Sequence, residues 1–237
     1  MIIFLINFLK LLIYFIIFAT CALILRKITK IPDEFYRKIL HFILLGSTPV
    51  FLYVFSTWQG SVLASVSFAV LVYPILSLGE KLEGYTNILA ERKSGEIKRS
   101  LITVFGMFAV VITICWGLLG AKYLALAVIL GWGIGDAAAA LIGKKFGKHH
   151  LKGKFIDGKK TLEGTVAMFI VSFITIITVL ILNSQLSWYL NMSISIIAAG
   201  VCSIVELNTK NGLDTLTCPA ATLATMLPLL RLWGGIL

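Results

Sequence analysis

The chain has 237 residues, of which 59% are hydrophobic and 14% charged, with a mean hydropathy of +0.97. That balance excludes a soluble globular domain, where apolar residues rarely exceed about half, and predicts a polytopic membrane protein. The net charge of +10 is explained either by anionic lipid headgroups or by a topology bias.

Eight apolar segments follow, each near the ~20 residues that cross a bilayer. They fall at Ile2–Leu25, Ile39–Phe55, Ser61–Leu78, Leu101–Leu119, Tyr123–Ile142, Val166–Leu182, Trp188–Val205 and Leu216–Leu232. The first lacks a basic start and a small-residue cleavage site, so it reads as a retained helix and not as a signal peptide. Of the 21 basic residues, 18 lie in the loops between helices one and two, three and four, five and six, and seven and eight. By the positive-inside rule those loops are cytoplasmic and both termini are outside. The acidic residues lie on the same side or at its membrane boundary, while the opposite loops, 56–60 and 183–187, are short and uncharged. The expected architecture is all-α: one domain over 1–237, a bundle of about eight transmembrane helices with its working face in the cytoplasm. The four cysteines stand singly in apolar surroundings and read as core residues, and the three histidines are too few and too separated for a zinc site.

Four stretches carry candidate chemistry. In the second helix, Arg37 and His41 are four residues apart and Lys38 and His41 three apart, so they share a face. Such a histidine at the membrane boundary suits a general base for a lipid hydroxyl, or a core histidine bonded to backbone. Glu80, Glu83, Glu91 and Glu96, in the next basic loop, read as solvated amphipathic surface. In the fifth helix, Asp136 follows Gly131, Gly133 and Gly135 and precedes four alanines. A carboxylate at that depth is expensive and marks function by default, although a tightly packed, hydrogen-bonded aspartate is the alternative. Without a cation, burial would tend to keep it protonated; magnesium, which needs only one or two carboxylates plus phosphate oxygens, removes that difficulty.

Seven lysines then crowd the loop between helices five and six: Lys144, Lys145, Lys148, Lys152, Lys154, Lys159 and Lys160. Facing anionic lipid is one use for them. The loop ends on Lys159-Lys160-Thr161 just ahead of an apolar run, where Thr161 can cap the helix and Gly164 permits close approach. Free N–H groups at such a start, with the helix dipole, make an anion-binding arrangement. Glu163 shares that turn, as capping carboxylate or metal ligand. The Walker pattern is absent. Last, Glu206 ends helix seven, and Asp214 precedes helix eight, as its N-cap or as a further metal ligand.

In this order the four stretches resemble the polyprenol kinase family of dolichol, phytol and CTP-dependent diacylglycerol kinases. The family pattern Arg-Lys-x-x-His is matched by Arg37, Lys38 and His41. Gly-Asp-x-x-Ala with a following Gly-x-x-x-Gly is matched by Gly135, Asp136, Ala139, Gly143 and Gly147. Lys-[Ser/Thr]-x-Glu-Gly is matched by Lys160, Thr161, Glu163 and Gly164, and the final Glu, Gly-x-Asp and Pro by Glu206, Gly212, Asp214 and Pro219. One departure is Thr215, where the family usually has Asn. The resemblance implies transfer of the γ-phosphate of a nucleoside triphosphate, commonly CTP with ATP as the other donor, to the hydroxyl of a membrane lipid, with Mg²⁺. Catalysis of that kind rests on positioning and charge neutralisation. The roles implied are metal ligation by Asp136, Glu206 and Asp214, and phosphate clamping by Lys144, Lys145, Lys159 and Lys160 with Thr161, beside Glu163 and Gly164. His41 is the base, with Asp214 as an alternative, and Arg37 and Lys38 hold phosphate. The expected partners are a lipid alcohol, the nucleotide and membrane lipids, with no nucleic acid; the plasma membrane is the expected location.

The Asp136–Gly164 block also resembles that of phosphatidate cytidylyltransferases and CDP-archaeol synthases. Their usual Gly-His-Gly-Gly and Asp-Arg-x-Asp signatures are missing from Glu206–Pro219, and the Arg-Lys-x-x-His start favours the kinases. A transporter is a further alternative; against it, the ionisable residues gather at one face.

Overall fold

The computed structural model describes residues 1–153, 156, 158, 160–210 and 212–235. In chain order its helices are α1 (Ile2–Ile28), α2 (Asp33–Tyr53), α3 (Trp58–Gly79), the short α4 (Tyr85–Leu89), α5 (Glu96–Ile112), α6 (Lys122–Phe146), α7 (Leu162–Asn183), α8 (Trp188–Asn208) and α9 (Asp214–Leu232). A π-helical turn, Thr113–Leu118, continues α5. No strand occurs among the described residues, and the architecture is the all-helical polytopic bundle expected.

Seven of these helices are long and apolar enough to cross a membrane: α1, α3, α5 with its π continuation, and α6 to α9. The expected count was about eight. Helix α2 has the length, 21 residues, but Asp33, Glu34, Arg37, Lys38 and His41 dilute its apolar run. Several helices also outrun the apolar segments at their charged ends. Helix α2 begins at Asp33, α5 at Glu96 and α9 at Asp214, while α6 runs on to Phe146 and α8 to Asn208. Acidic residues in the first turns of α2, α5, α7 and α9 complement the helix dipole there. Short α4 was not expected. It is bracketed by Gly84 and Gly95 at φ +81° and +77°, a left-handed conformation that glycine adopts without a Cβ penalty.

The sequence reads as one domain, and the helices cluster into two compact units, Met1–Thr113 and Ile114–Leu237. The first unit is built on aromatic packing. Phe68 stacks between Phe15 and Phe105 with centroid separations of 4.2 and 4.8 Å, and Phe51 meets Phe108 edge-on at 5.8 Å. Two of its buried hydroxyls bond backbone across helices: Ser61 donates to the Phe51 carbonyl and Ser65 to that of Phe105, both at 2.8 Å.

The charged end of this unit is organised rather than merely solvated. Arg37 pairs with Glu96 at 2.9 Å, Arg92 with Glu34 at 2.6 Å, and Lys98 with Glu80 at 2.6 Å. Arg26 pairs with Asp33 and lies over the buried Tyr36 ring. Glu91 accepts from the Ile97 amide and Glu96 from that of Arg92. This corrects the solvated reading of Glu80, Glu91 and Glu96, which are half-buried; Glu83 is exposed.

In the second unit α6 is central, with half of its membrane-length window buried. It packs mainly on α7 and also touches α8 and α9, while α8 lies between α7 and α9. Glycines set the α6–α7 distance. A Cβ on Gly131 would meet Ile176 at 2.7 Å, one on Gly135 would collide with the Ser172 hydroxyl, and one on Gly164 would meet the Ala139 carbonyl oxygen at 2.9 Å. The closeness is used, because the buried Ser172 hydroxyl donates to the Gly131 carbonyl at 2.8 Å.

Candidate functional site

The chemistry of the second unit gathers where α6 and α8 end and α7 and α9 begin. The α6–α7 crossing creates the first part of it. Gly143 and Gly164 approach so closely that a Cβ on Gly143 would meet Thr161 Oγ1 at 3.0 Å and Gly164 Cα at 3.5 Å. Thr161 is buried and is the N-cap of α7, its Oγ1 accepting from the Gly164 amide at 3.2 Å, as its position in the sequence predicts.

Two amides of this helix start already have acceptors: the Leu162 amide donates to the His149 carbonyl at 2.9 Å, and the Gly164 amide to Thr161 Oγ1.

Lys160 reaches across to α8. Its ammonium bonds the Glu206 carboxylate at 2.8 Å, the Glu206 carbonyl, and the Thr209 carbonyl at 3.0 Å. A lysine at the last carbonyls of a helix satisfies orphan acceptors and complements the negative end of the dipole. Glu206 is 8% exposed, and the pairing compensates a charge that would be costly at that depth. Asp136 and Asp214 are half-buried, and Asp214 is the first helical residue of α9, with Leu213 at the N-cap.

Cys202 on α8 and Cys218 on α9 are buried, as core cysteines are expected to be.

Among the remaining expected residues, Lys144 and Lys145 lie exposed on the last turn of α6, with the Lys145 ammonium over the Phe146 ring. Lys159 lies outside the described residues. Glu163 is held by His149: its carboxylate accepts the His149 amide and sits 2.7 Å from Nδ1. His149 was missed in the sequence; the only hint was its place beside the lysines. In the first unit, Arg37, Lys38 and His41 share α2 and are half-buried, with Arg37 engaged by Glu34 and Glu96.

Among the described residues no group of three or more His, Cys, Asp or Glu is close enough to hold a metal ion. Carboxylate oxygens such as those of Asp136 and Asp214 are the donor type Mg²⁺ takes, and one or two suffice when phosphate supplies the rest.

The chain is similar to the dolichol kinase of Saccharomyces cerevisiae (strain ATCC 204508 / S288c), 44% identical over 52 residues. That stretch is 22% of this chain and 9% of the yeast protein, so the chain spans less than a tenth of the curated relative. The likeness supports a relationship to the polyprenol kinases without indicating a subfamily. No family model matches the chain, and no solved structure matches it.

Proposed function

We propose that the chain is an integral-membrane lipid kinase, transferring the γ-phosphate of a nucleoside triphosphate, CTP by preference, to the hydroxyl of a lipid alcohol. The acceptor class is a polyprenol, a phytol-like isoprenoid alcohol or diacylglycerol. The observation that carries this reading is the 44% identity to a dolichol kinase. What supports it chemically is the junction of α6 to α9, where lysines and carboxylates meet at one end of an apolar bundle.

Asp136, Asp214 and Glu206 are the carboxylates that would hold Mg²⁺. The ion, when bound, neutralises phosphate charge and orients the transferring group. Lys160 keeps its ammonium on Glu206, and Lys144 and Lys145, on the last turn of α6, are the cations proposed for the outer phosphates. Positioned positive charge of this kind is what a loose phosphoryl-transfer transition state requires. His41, on α2, is the proposed base for the lipid hydroxyl. The reaction breaks the bond between the γ-phosphorus and its bridging oxygen, forms one from phosphorus to the lipid oxygen, and releases a nucleoside diphosphate and the hydroxyl proton.

The test is purified protein in detergent with magnesium, labelled CTP or ATP, and a panel of lipid alcohols plus phosphatidate. A labelled lipid phosphate from γ-labelled donor is the expected product. A CDP-lipid from α-labelled CTP, with release of pyrophosphate, would replace this reading with a cytidylyltransferase. Solute flux in vesicles with neither product would replace it with a transporter.

A further inference from the structure

The basic loop between α6 and α7 has a neck, and the neck has a fastener that no motif assigns. Two backbone hydrogen bonds cross it, from the Leu151 amide to the Lys160 carbonyl and from the Leu162 amide to the His149 carbonyl, both 2.9 Å. They flank the isolated bridge between His150 and Thr161. So small a ladder is marginal by itself in water. What reinforces it is His149, whose side chain is 73% exposed and so has no packing reason to be ordered. Its amide donates to both oxygens of the Glu163 carboxylate at 3.3 Å, and its Nδ1 sits 2.7 Å from Oε1, a charge-assisted distance. Facing a carboxylate, Nδ1 carries the proton and donates. Lys160 is the residue this arrangement places: its carbonyl is a rung of the neck, and its ammonium spans Glu206 and Thr209.

We propose that His149 is a positioning residue which, by clasping Glu163, closes the neck of the basic loop and holds Lys160 in register against Glu206. It touches neither substrate nor metal and acts through Lys160. Its effect on turnover rests on the lipid-kinase reading, whereas its effect on the neck does not.

The experiment uses the full chain in detergent and compares wild type with H149A, H149N and E163A. Asn keeps a side-chain donor near the place of Nδ1. Hydrogen exchange at the Leu151 and Leu162 amides is followed by mass spectrometry, and nucleotide and lipid kinetics are measured with γ-labelled donor. In H149A and E163A, exchange at both amides is expected to rise at least about tenfold, the scale for losing a hydrogen bond to a charged partner. The nucleotide KM should rise by a similar factor while the lipid KM stays within about twofold. H149N should restore both readouts most of the way, and the double variant H149A/E163A should be no worse than either single one, since both remove the same contact.

Unchanged exchange in H149A overturns the proposal, as does an H149N variant as impaired as H149A. A rise in both KM values alike also overturns it. If wild type turns over no nucleotide and lipid alcohol pair, the kinase reading falls, and the exchange arm still decides the clasp.

Discussion

Lys160 is the residue on which the site turns, because one ammonium serves a helix end, a buried carboxylate and the approach to the loop. Lys160→Ala leaves Glu206 buried without its counter-ion and removes the fixed charge that the proposed chemistry needs. Asp136→Asn removes the charge proposed to bind the metal, with almost no change of shape. Both variants are expected to lose about 10²–10³-fold in turnover, the range for removing one preorganised electrostatic group. Turnover is measured with γ-labelled nucleotide, alongside a size-exclusion profile that reports whether the bundle is intact. Wild-type rates in either variant would remove that residue from the site.

A second residue makes a prediction of stability. The Tyr85 hydroxyl is buried with no hydrogen-bond partner, and its pKa is pushed up to about 12 by burial and by the nearby charges of Glu91 and Glu80. Tyr85→Phe removes an unsatisfied polar atom and is expected to stabilise the protein by about 1 kcal/mol in a thermal melt. The folded state holds the phenolic proton more tightly than the unfolded chain does. Wild-type stability contributed by this group is therefore complete below pH 10 and lost as pH rises through about 12, a decline that Tyr85→Phe lacks.

At the scale of elements, the α6–α7 crossing is the most constrained feature of the second unit. A methyl on Gly164 meets a backbone carbonyl, which cannot swing aside as a side-chain end can. Gly164→Ala is expected to cost about 1–3 kcal/mol, the usual scale for overpacking. Gly106 on α5 supplies the control, since nothing lies within 4 Å of its added Cβ. Gly106→Ala should be neutral or stabilise by up to about 1 kcal/mol through helix propensity. Equal effects in the two melts would contradict the close crossing.

The long helices and the Thr161 cap were readable in the sequence because both are local: an apolar run of membrane length, and a hydroxyl three residues ahead of the amide it caps. What could not be read are partners brought together by packing. Glu163 sits where a capping or ligating carboxylate is expected, yet its partner is His149, across the loop. The Leu162 amide at the start of α7 reads as a free donor, and it is the return path of the loop that brings the His149 carbonyl to it. Nor does a list of charges distinguish a solvated Glu96 from one clasped by Arg37.

For the molecule as a whole, the charge asymmetry makes a topological prediction. Residue 152 belongs to the lysine-rich connection, and residue 185 to the uncharged one at the opposite end of the second unit. Lys152→Cys and Gln185→Cys, in a Cys21→Ser background, add a single exposed thiol each, because Cys115, Cys202 and Cys218 are buried. A membrane-impermeant maleimide applied to intact cells should label residue 185 and spare residue 152, with both labelled after permeabilisation. The reverse pattern would place the site on the outer face.

Helix α6 has 25 residues and α9 has 19, so their axes differ by about 9 Å. Their far ends are joined, since the Tyr123 hydroxyl at the start of α6 donates to the Gly235 carbonyl just beyond α9. If the two axes run side by side, the surplus falls at the other end, where Lys144 and Lys145 close α6 and Asp214 opens α9. A molecule that touched both would then have to reach along the helix axes by about that length.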